Sequence, residues 1–274
     1  VSFTKIYIKD NVRIFLSDYT QVANSTIEKQ KSSNFSSLIL ANAITIFGVL
    51  PFILQAKHGK VISFLKSNGT IKNLIVEANS EGEIKALIGN PLIEITEKKF
   101  ENKNIPLILA IGNEGILRIT RKNNNDYFTG EVKLVKSDLI TDLAYYFQIS
   151  EQIYTAIKTS VFFENENKFS RAYSVIFQLL PQHQEKDILW IENIIKNHDI
   201  NNYSFEEYEK ILNADLIKIK NTKWKCSCSK NKLLESIQLI DKIELEKILL
   251  EDKKIEIICD FCQTEYIFYK KDFE

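Results

Sequence analysis

The 274-residue chain balances 36 basic against 36 acidic side chains and is 45% hydrophobic. That composition excludes a disordered chain, and it gives no global field to recruit nucleic acid or an anionic membrane. The length allows one sizeable core plus a smaller module. All four cysteines fall between positions 226 and 262, unlike a secreted disulfide framework. The first ten residues show no apolar signal core, so a reducing, cytoplasmic setting is expected.

Phe3, Ile6, Ile8, Val12, Ile14 and Leu16 alternate in places with polar residues and predict a strand or a pair of strands. A helix is expected from near Asp18 to Lys31. Residues 36–56 are apolar on every side. Asn42, Thr45, Gly48 and Pro51 interrupt that run, which reads as a helix buried all round rather than a membrane span. From Lys60 to Val135 the pattern becomes strands, Val61 to Leu65, Ile71 to Ala78, Ile84 to Ile88, Ile116 to Thr120 and Tyr127 to Val135. They are divided by turn chemistry such as Asn68-Gly69 and suit an antiparallel meander. Gly112 to Gly115 is too sparse in glycine for a phosphate loop and reads as a turn.

Ser137 is placed to cap a helix that buries Ile140, Leu143, Ala144 and Phe147 and leaves Asp138, Asp142 and Gln148 outward. No nucleophile or metal pattern converges on these carboxylates, so they read as solvated or capping groups. A strand pair follows, Ala156 to Phe163 and Phe169 to Leu180, turning at Glu164 to Asn167. Pro181 marks a boundary. Two short helical patterns, Asp187 to Lys196 and Ser204 to Leu212, come after it, the second opened by a Ser204/Glu207 capping box. Their apolar load is large for marginal helices, which need a surface to pack on. His58, His183 and His198 are scattered.

The specific chemical signal is the cysteine quartet, Cys226-Ser227-Cys228 and Cys259-Asp260-Phe261-Cys262. Four thiolates meet the needs of a closed tetrahedral zinc site. Lys223, Lys225, Lys230 and Lys232 are placed to offset the two negative charges left over. Strand-like Ile255 to Ile258 and Glu265 to Tyr269 put the second pair in a hairpin turn, where a redox CxxC would instead open a helix. Between the pairs, Asp241 and Glu244 repeat the capping-box spacing, and Ile243, Leu245, Ile248 and Leu249 supply an apolar side. Two readings stay open: zinc as a staple for a small module, or zinc holding thiolates poised for oxidation, with disulfides forming and the metal leaving.

The run from Cys226 to Lys232, the helical stretch after it, and the run Ile255 to Phe268 around Cys259 and Cys262 resemble the redox-switch domain of the 33 kDa chaperonin family, the oxidation-activated heat-shock holdases. The resemblance continues in Asp142 to Gln152, Tyr127 to Val132, Gly112 to Thr120 and Phe177 to Pro181, in the family's order over nearly the whole chain. Lys136-Ser137-Asp138 stands where the family has Ser-Gly-Glu, and Tyr154 replaces a proline.

The resemblance implies an α+β architecture. Residues 1–180 form an N-terminal α/β chaperone core with antiparallel sheets around a buried central helix, 181–222 a helical linker, and 223–274 a small zinc-binding redox-switch domain. It implies an ATP-independent chaperone rather than an enzyme. Cys226, Cys228, Cys259 and Cys262 hold one Zn²⁺ in the reduced, inactive state. Oxidation pairs Cys226 with Cys228 and Cys259 with Cys262, releases the metal and loosens the linker. The implied partners are unfolded client proteins, with a homodimer allowed when oxidised, and neither nucleic acid nor membrane. A rival reading is a nucleic-acid-binding zinc ribbon, carried by Lys218, Lys220, Lys223, Lys225, Lys230 and Lys232. A thiol oxidoreductase is the third.

Overall fold

The computed structural model describes residues 1–56, 58–93, 107–123 and 126–273, and the chain divides at Trp224/Lys225 into two compact units. In unit 1 the alternating N-terminus folds as a hairpin of β1 (Ser2–Lys9) and β2 (Val12–Asp18), followed by α1 (Thr20–Gln30). The apolar run becomes α2 (Asn34–Phe47), capped by the Ser33 side chain, and the short α3 (Leu50–Ile53). The helical stretch Asn34–Ile53 has the length and apolarity to cross a membrane, yet 89% of its apolar window is buried within the protein. It is the central helix. α2 touches β4 (Asn73–Asn79) and β5 (Glu83–Ile88) on one side and β8 (Thr155–Asn165) and β9 (Lys168–Leu179) on another.

With β3 (Lys60–Ser67), β6 (Gly115–Asn123), β7 (Asp126–Lys133) and β10 (Asp215–Trp224), these strands make one ten-stranded sheet, ordered β7-β6-β3-β4-β5-β10-β1-β2-β9-β8. The expected strands are present, but the meander stops at β5. The chain then passes α4 (Ile108–Ile111) and returns to pair β6 with β3 on the other side of β4. Gly112, at φ +82°, ends α4, which agrees with a turn there.

Two expectations around α5 (Leu139–Tyr146) are corrected. Asp138, not Ser137, is the cap, its carboxylate accepting the Thr141 N–H and hydroxyl. Asp142 points inward and is fully buried, one oxygen accepting the backbone N–H groups of Val135 and Lys136. The helix needs an acceptor for the loop that folds back on it, and that outweighs the carboxylate's preference for water. Ser137 itself sits at φ +52°, a left-handed conformation that favours glycine.

The segment expected to be a helical linker holds α6 (Glu185–Asn197) and α7 (Phe205–Leu212), the latter opened by the Ser204/Glu207 capping box, and then strand β10. β10 pairs antiparallel with β1 along Asp215–Thr222 and parallel with β5 at Lys223 and Trp224. It joins the two halves of the sheet. Gly82, at φ +79°, lets the β4–β5 turn meet this strand, since a Cβ there would lie 2.1 Å from the Asn221 carbonyl oxygen.

Both faces of the β1-β2-β9 region are buried, and the period-two alternation sorts the side chains between them. Phe15, Ala172 and Ile176 join the core around α2. Tyr7, Val12, Ile14, Leu16, Val175 and Phe177 face the other way, against Ile191, Ile194, Phe205, Tyr208 and Leu212 of α6 and α7. A part-buried polar clamp accompanies that packing. Glu209 of α7 accepts from Lys5 Nζ at 2.8 and 2.9 Å and from the Tyr7 hydroxyl at 2.5 Å.

Unit 2 contains α8 (Lys230–Ile237), α9 (Lys242–Glu251) and a hairpin of β11 (Ile255–Ile258) and β12 (Glu265–Phe268). Ile237, Leu245 and Phe268 are its buried apolar residues, with Leu233, Leu234, Leu249, Ile255, Ile257, Tyr266 and Phe273 partly covered around them. Asp241 caps α9 through the N–H groups of Ile243 and Glu244. Ile243, expected to pack inward, is 79% exposed.

Candidate metal centre

The first cysteine pair lies on an extended segment between β10 and α8, and the second in the turn joining β11 to β12, as its flanking strands predict. The turn is held by the Cys259 N–H on the Thr264 carbonyl at 3.0 Å and the Gln263 N–H on the Cys259 carbonyl at 2.8 Å, with Gln263 at φ +57°. Hairpin register therefore fixes where Cys259 and Cys262 point. On the other side, the Ser229 side chain caps α8, and Lys232 Nζ donates to the Ser227 carbonyl at 2.8 Å, shaping the short C-x-C arm.

These two loops bring all four sulfurs within 4.8 Å of one another. The shortest approaches run between the pairs, Cys226 to Cys259 at 3.7 Å and Cys228 to Cys262 at 3.3 Å. A tetrahedral ion with metal–sulfur bonds of about 2.3 Å would space its sulfurs by about 3.8 Å. The set therefore fits a single four-thiolate ion with sulfur–sulfur distances changing by no more than about 1 Å. All four cysteines are free thiols, partly shielded from solvent.

The sulfurs differ electrostatically. Burial first, then hydrogen bonds and charge shared with Cys228 and Cys259, pushes the Cys226 thiol up to about 12, against a backbone N–H that favours its thiolate. Burial likewise raises Cys259. Cys262 is raised by burial too, but its bonds with the Thr264 hydroxyl and N–H and with Cys228 and Cys259 outweigh this and bring it down to about 7. Without a metal, then, Cys262 is the thiol whose surroundings favour ionisation, while burial opposes it at Cys226 and Cys259. A cation at the centre would reverse that resistance.

Tyr266 of β12 places its hydroxyl 3.1 Å from Cys228 Sγ. That bond first, then burial and the neighbouring thiolate charges, pushes the hydroxyl up to about 12, so it stays protonated and able to donate. Neither Tyr266 nor Thr264 was singled out as a site residue by sequence reasoning. Each reads simply as strand or turn, because nothing in spacing marks a hydroxyl aimed at sulfur.

The lysines expected to neutralise the site are distributed otherwise. Lys230 makes a two-oxygen bond to Asp272 at 3.0 and 3.1 Å, Lys232 serves the C-x-C backbone, and Lys223 lies in unit 1 with Glu83 at 3.8 Å. Lys220, one of the lysines of the nucleic-acid reading, lies over the Phe52 ring. His183 and His198 belong to unit 1, where they bond to the Leu180 carbonyl and the Tyr203 hydroxyl.

Comparison with known proteins agrees with this architecture. A 33 kDa chaperonin from Bacillus velezensis is 26% identical over 96% of this chain and 93% of its own length. One from Prochlorococcus marinus is 28% identical over 92% of the chain and 91% of its own. The crystal structure of the 33 kDa chaperonin (heat shock protein 33 homolog) from Thermotoga maritima superposes with a TM-score of 0.84. It covers 99% of this chain and 95% of that one at 24% identity, which establishes the shared fold. The model of the family described as Hsp33 protein matches residues 3–269, and the chain belongs to that family.

Proposed function

We propose that this protein is a redox-regulated, ATP-independent holdase. In the reduced state Cys226, Cys228, Cys259 and Cys262 hold one Zn²⁺, and unit 2 is folded around it. The observation that carries this reading is the mismatch between a complete four-sulfur site and the small core beneath it, Ile237, Leu245 and Phe268. So small an apolar core does not fold a module unaided, whereas a structural zinc does.

Under oxidant, Cys226 pairs with Cys228 and Cys259 with Cys262. Each disulfide forms as two thiolates give two electrons to hydrogen peroxide, whose O–O bond breaks and, with two protons from solvent, yields two waters. With its sulfurs engaged, the site releases the metal and unit 2 loses its staple. The chain enters unit 2 directly from β10, so loss of order at Lys225 begins at the end of that strand. Residues 181–222 act as the linker in this scheme. As α6, α7 and β10 detach, the face bearing Tyr7, Val12, Ile14, Leu16, Val175 and Phe177 becomes available to unfolded clients. The relatives' name, chaperonin, accords with client binding.

Peptide mapping after peroxide treatment tests the chemistry. The expected products are the two local disulfides. Cross-pairing of Cys226 with Cys259, or persistence of four free thiols under conditions that release the metal, would refute the scheme.

A further inference from the structure

Hydrogen bonds to the four sulfurs come from two kinds of donor. Cys226 Sγ receives the backbone N–H of Cys228, Cys259 Sγ those of Phe261 and Cys262, and Cys262 Sγ that of Thr264. These are bonds that a knuckle gives its own sulfurs. Cys228 Sγ meets a hydroxyl from outside the C-x-C arm, that of Tyr266 at 3.1 Å, on the strand opposite Ile257. The C-x-C arm is one residue shorter than a C-x-x-C knuckle, so it offers fewer N–H groups in position to turn back on a sulfur.

We propose that Tyr266 is a positioning residue of the thiolate cluster: its hydroxyl supplies Cys228 with an outer hydrogen bond from the hairpin and ties the C-x-C arm to it. The inference rests on the metal reading above and deepens it. Tyr266 packs against the cluster of Ile237, Leu245 and Phe268, so hairpin register, rather than the cysteine arm, sets where the hydroxyl points. A thiolate that accepts such a bond is oriented for the metal and is a weaker nucleophile, because a lone pair is engaged. Outer-shell bonds of this kind typically change metal affinity by about 10- to 100-fold.

The test uses the full chain as wild type, Tyr266→Phe and Thr264→Val, with Co²⁺ as spectroscopic probe, Zn²⁺ in competition with a chromogenic chelator, and iodoacetamide alkylation read cysteine by cysteine. Tyr266→Phe keeps the ring and is expected to bind Zn²⁺ about 10- to 100-fold more weakly. Its thiolate-to-cobalt charge-transfer band should move to longer wavelength, and alkylation at Cys228 should rise relative to Cys259. Thr264→Val should move the alkylation change to Cys262. An unchanged band and Cys228 rate in Tyr266→Phe, or equal acceleration at all four cysteines, would overturn the assignment. A wild-type chain that takes up neither ion would overturn the metal reading itself. The Cys228-to-Cys259 alkylation ratio, which needs no metal, would then still decide the hydroxyl's role.

Discussion

Unit 1 and unit 2 secure their folds by different means. In unit 1, α2 is buried on every side by both halves of a ten-stranded sheet, and α6 and α7 bury the far face of β1, β2 and β9. Unit 2 has two helices and a two-stranded hairpin over Ile237, Leu245 and Phe268, while Ile243 and Leu250 stand 79% and 77% exposed. Hydrophobic burial at roughly 25 cal/mol per Å² outweighs chain entropy only when enough area is covered, and unit 2 covers little. In the proposed scheme, the ligand that oxidation removes sits where the fold depends on it most. All four sulfurs lie in unit 2, and none in unit 1.

The largest test of that contrast is metal removal. Apparent zinc binding energies of small zinc-folded modules are on the order of 10–16 kcal/mol, so chelation should unfold unit 2 almost completely. Hydrogen exchange should show the β11–β12 amides losing protection while α2 keeps its own. Equal protection of both regions without metal would break the comparison.

Core truncation sharpens it. Phe268→Ala should cost about 3–5 kcal/mol, and because folding and binding are coupled there, chelator competition should report at least about 100-fold weaker zinc affinity. Ile44→Ala, in the middle of α2, should cost about 2–5 kcal/mol in denaturant unfolding of unit 1 and leave zinc affinity unchanged.

Smaller is the effect expected at the α7 clamp. Glu209 is raised by burial, but bonds to Lys5 and Tyr7 and the Lys5 charge prevail and hold it below its ordinary 4.5. A carboxylate depressed in the folded state contributes stability that is present above its unfolded value and lost as pH falls through the folded one. Glu209→Gln should loosen α7 by about 1 kcal/mol at neutral pH. Exchange of the 205–212 amides should show this, and the acid-induced loosening of wild type below pH 4.5 should be reduced in the variant.

Smallest is Asp142. Burial raises it above the ordinary 3.8, ahead of the bonds from Val135 and Lys136 that lower it, and its second oxygen is buried without a hydrogen-bond partner. The sign is opposite to that of Glu209: the favourable protonated form contributes below the folded pKa and is lost as pH rises through it. Asp142→Asn keeps an oxygen for both N–H groups, so thermal unfolding at neutral pH should change by less than about 1 kcal/mol, with a flatter pH dependence in the acid range.

The sequence made some of this legible and hid the rest for physical reasons. Ile255 to Ile258 and Glu265 to Phe268 alternate over strand lengths, so the position of Cys259 and Cys262 in a hairpin turn was readable, and the all-apolar run of α2 announced a buried helix. β10 was not readable as part of the sheet. Leu216-Ile217-Lys218-Ile219-Lys220 has strand character, but it follows two helices, and the pairing that fixes it, with β1, lies some two hundred residues away. The inward turn of Asp142 was hidden because its partners are backbone N–H groups, which have no sequence signature. Tyr266 was hidden similarly: a tyrosine on a short strand says nothing of what its hydroxyl touches.

The central claim, that zinc holds the inactive state and its loss frees a client-binding surface, is tested most directly by measuring zinc content and suppression of client aggregation on one sample before and after peroxide with mild heat. Release of one Zn²⁺ per chain together with a gain in suppression is the expected result. Zinc retained, or zinc lost with no gain in suppression, would contradict the account and leave the four cysteines as a structural staple.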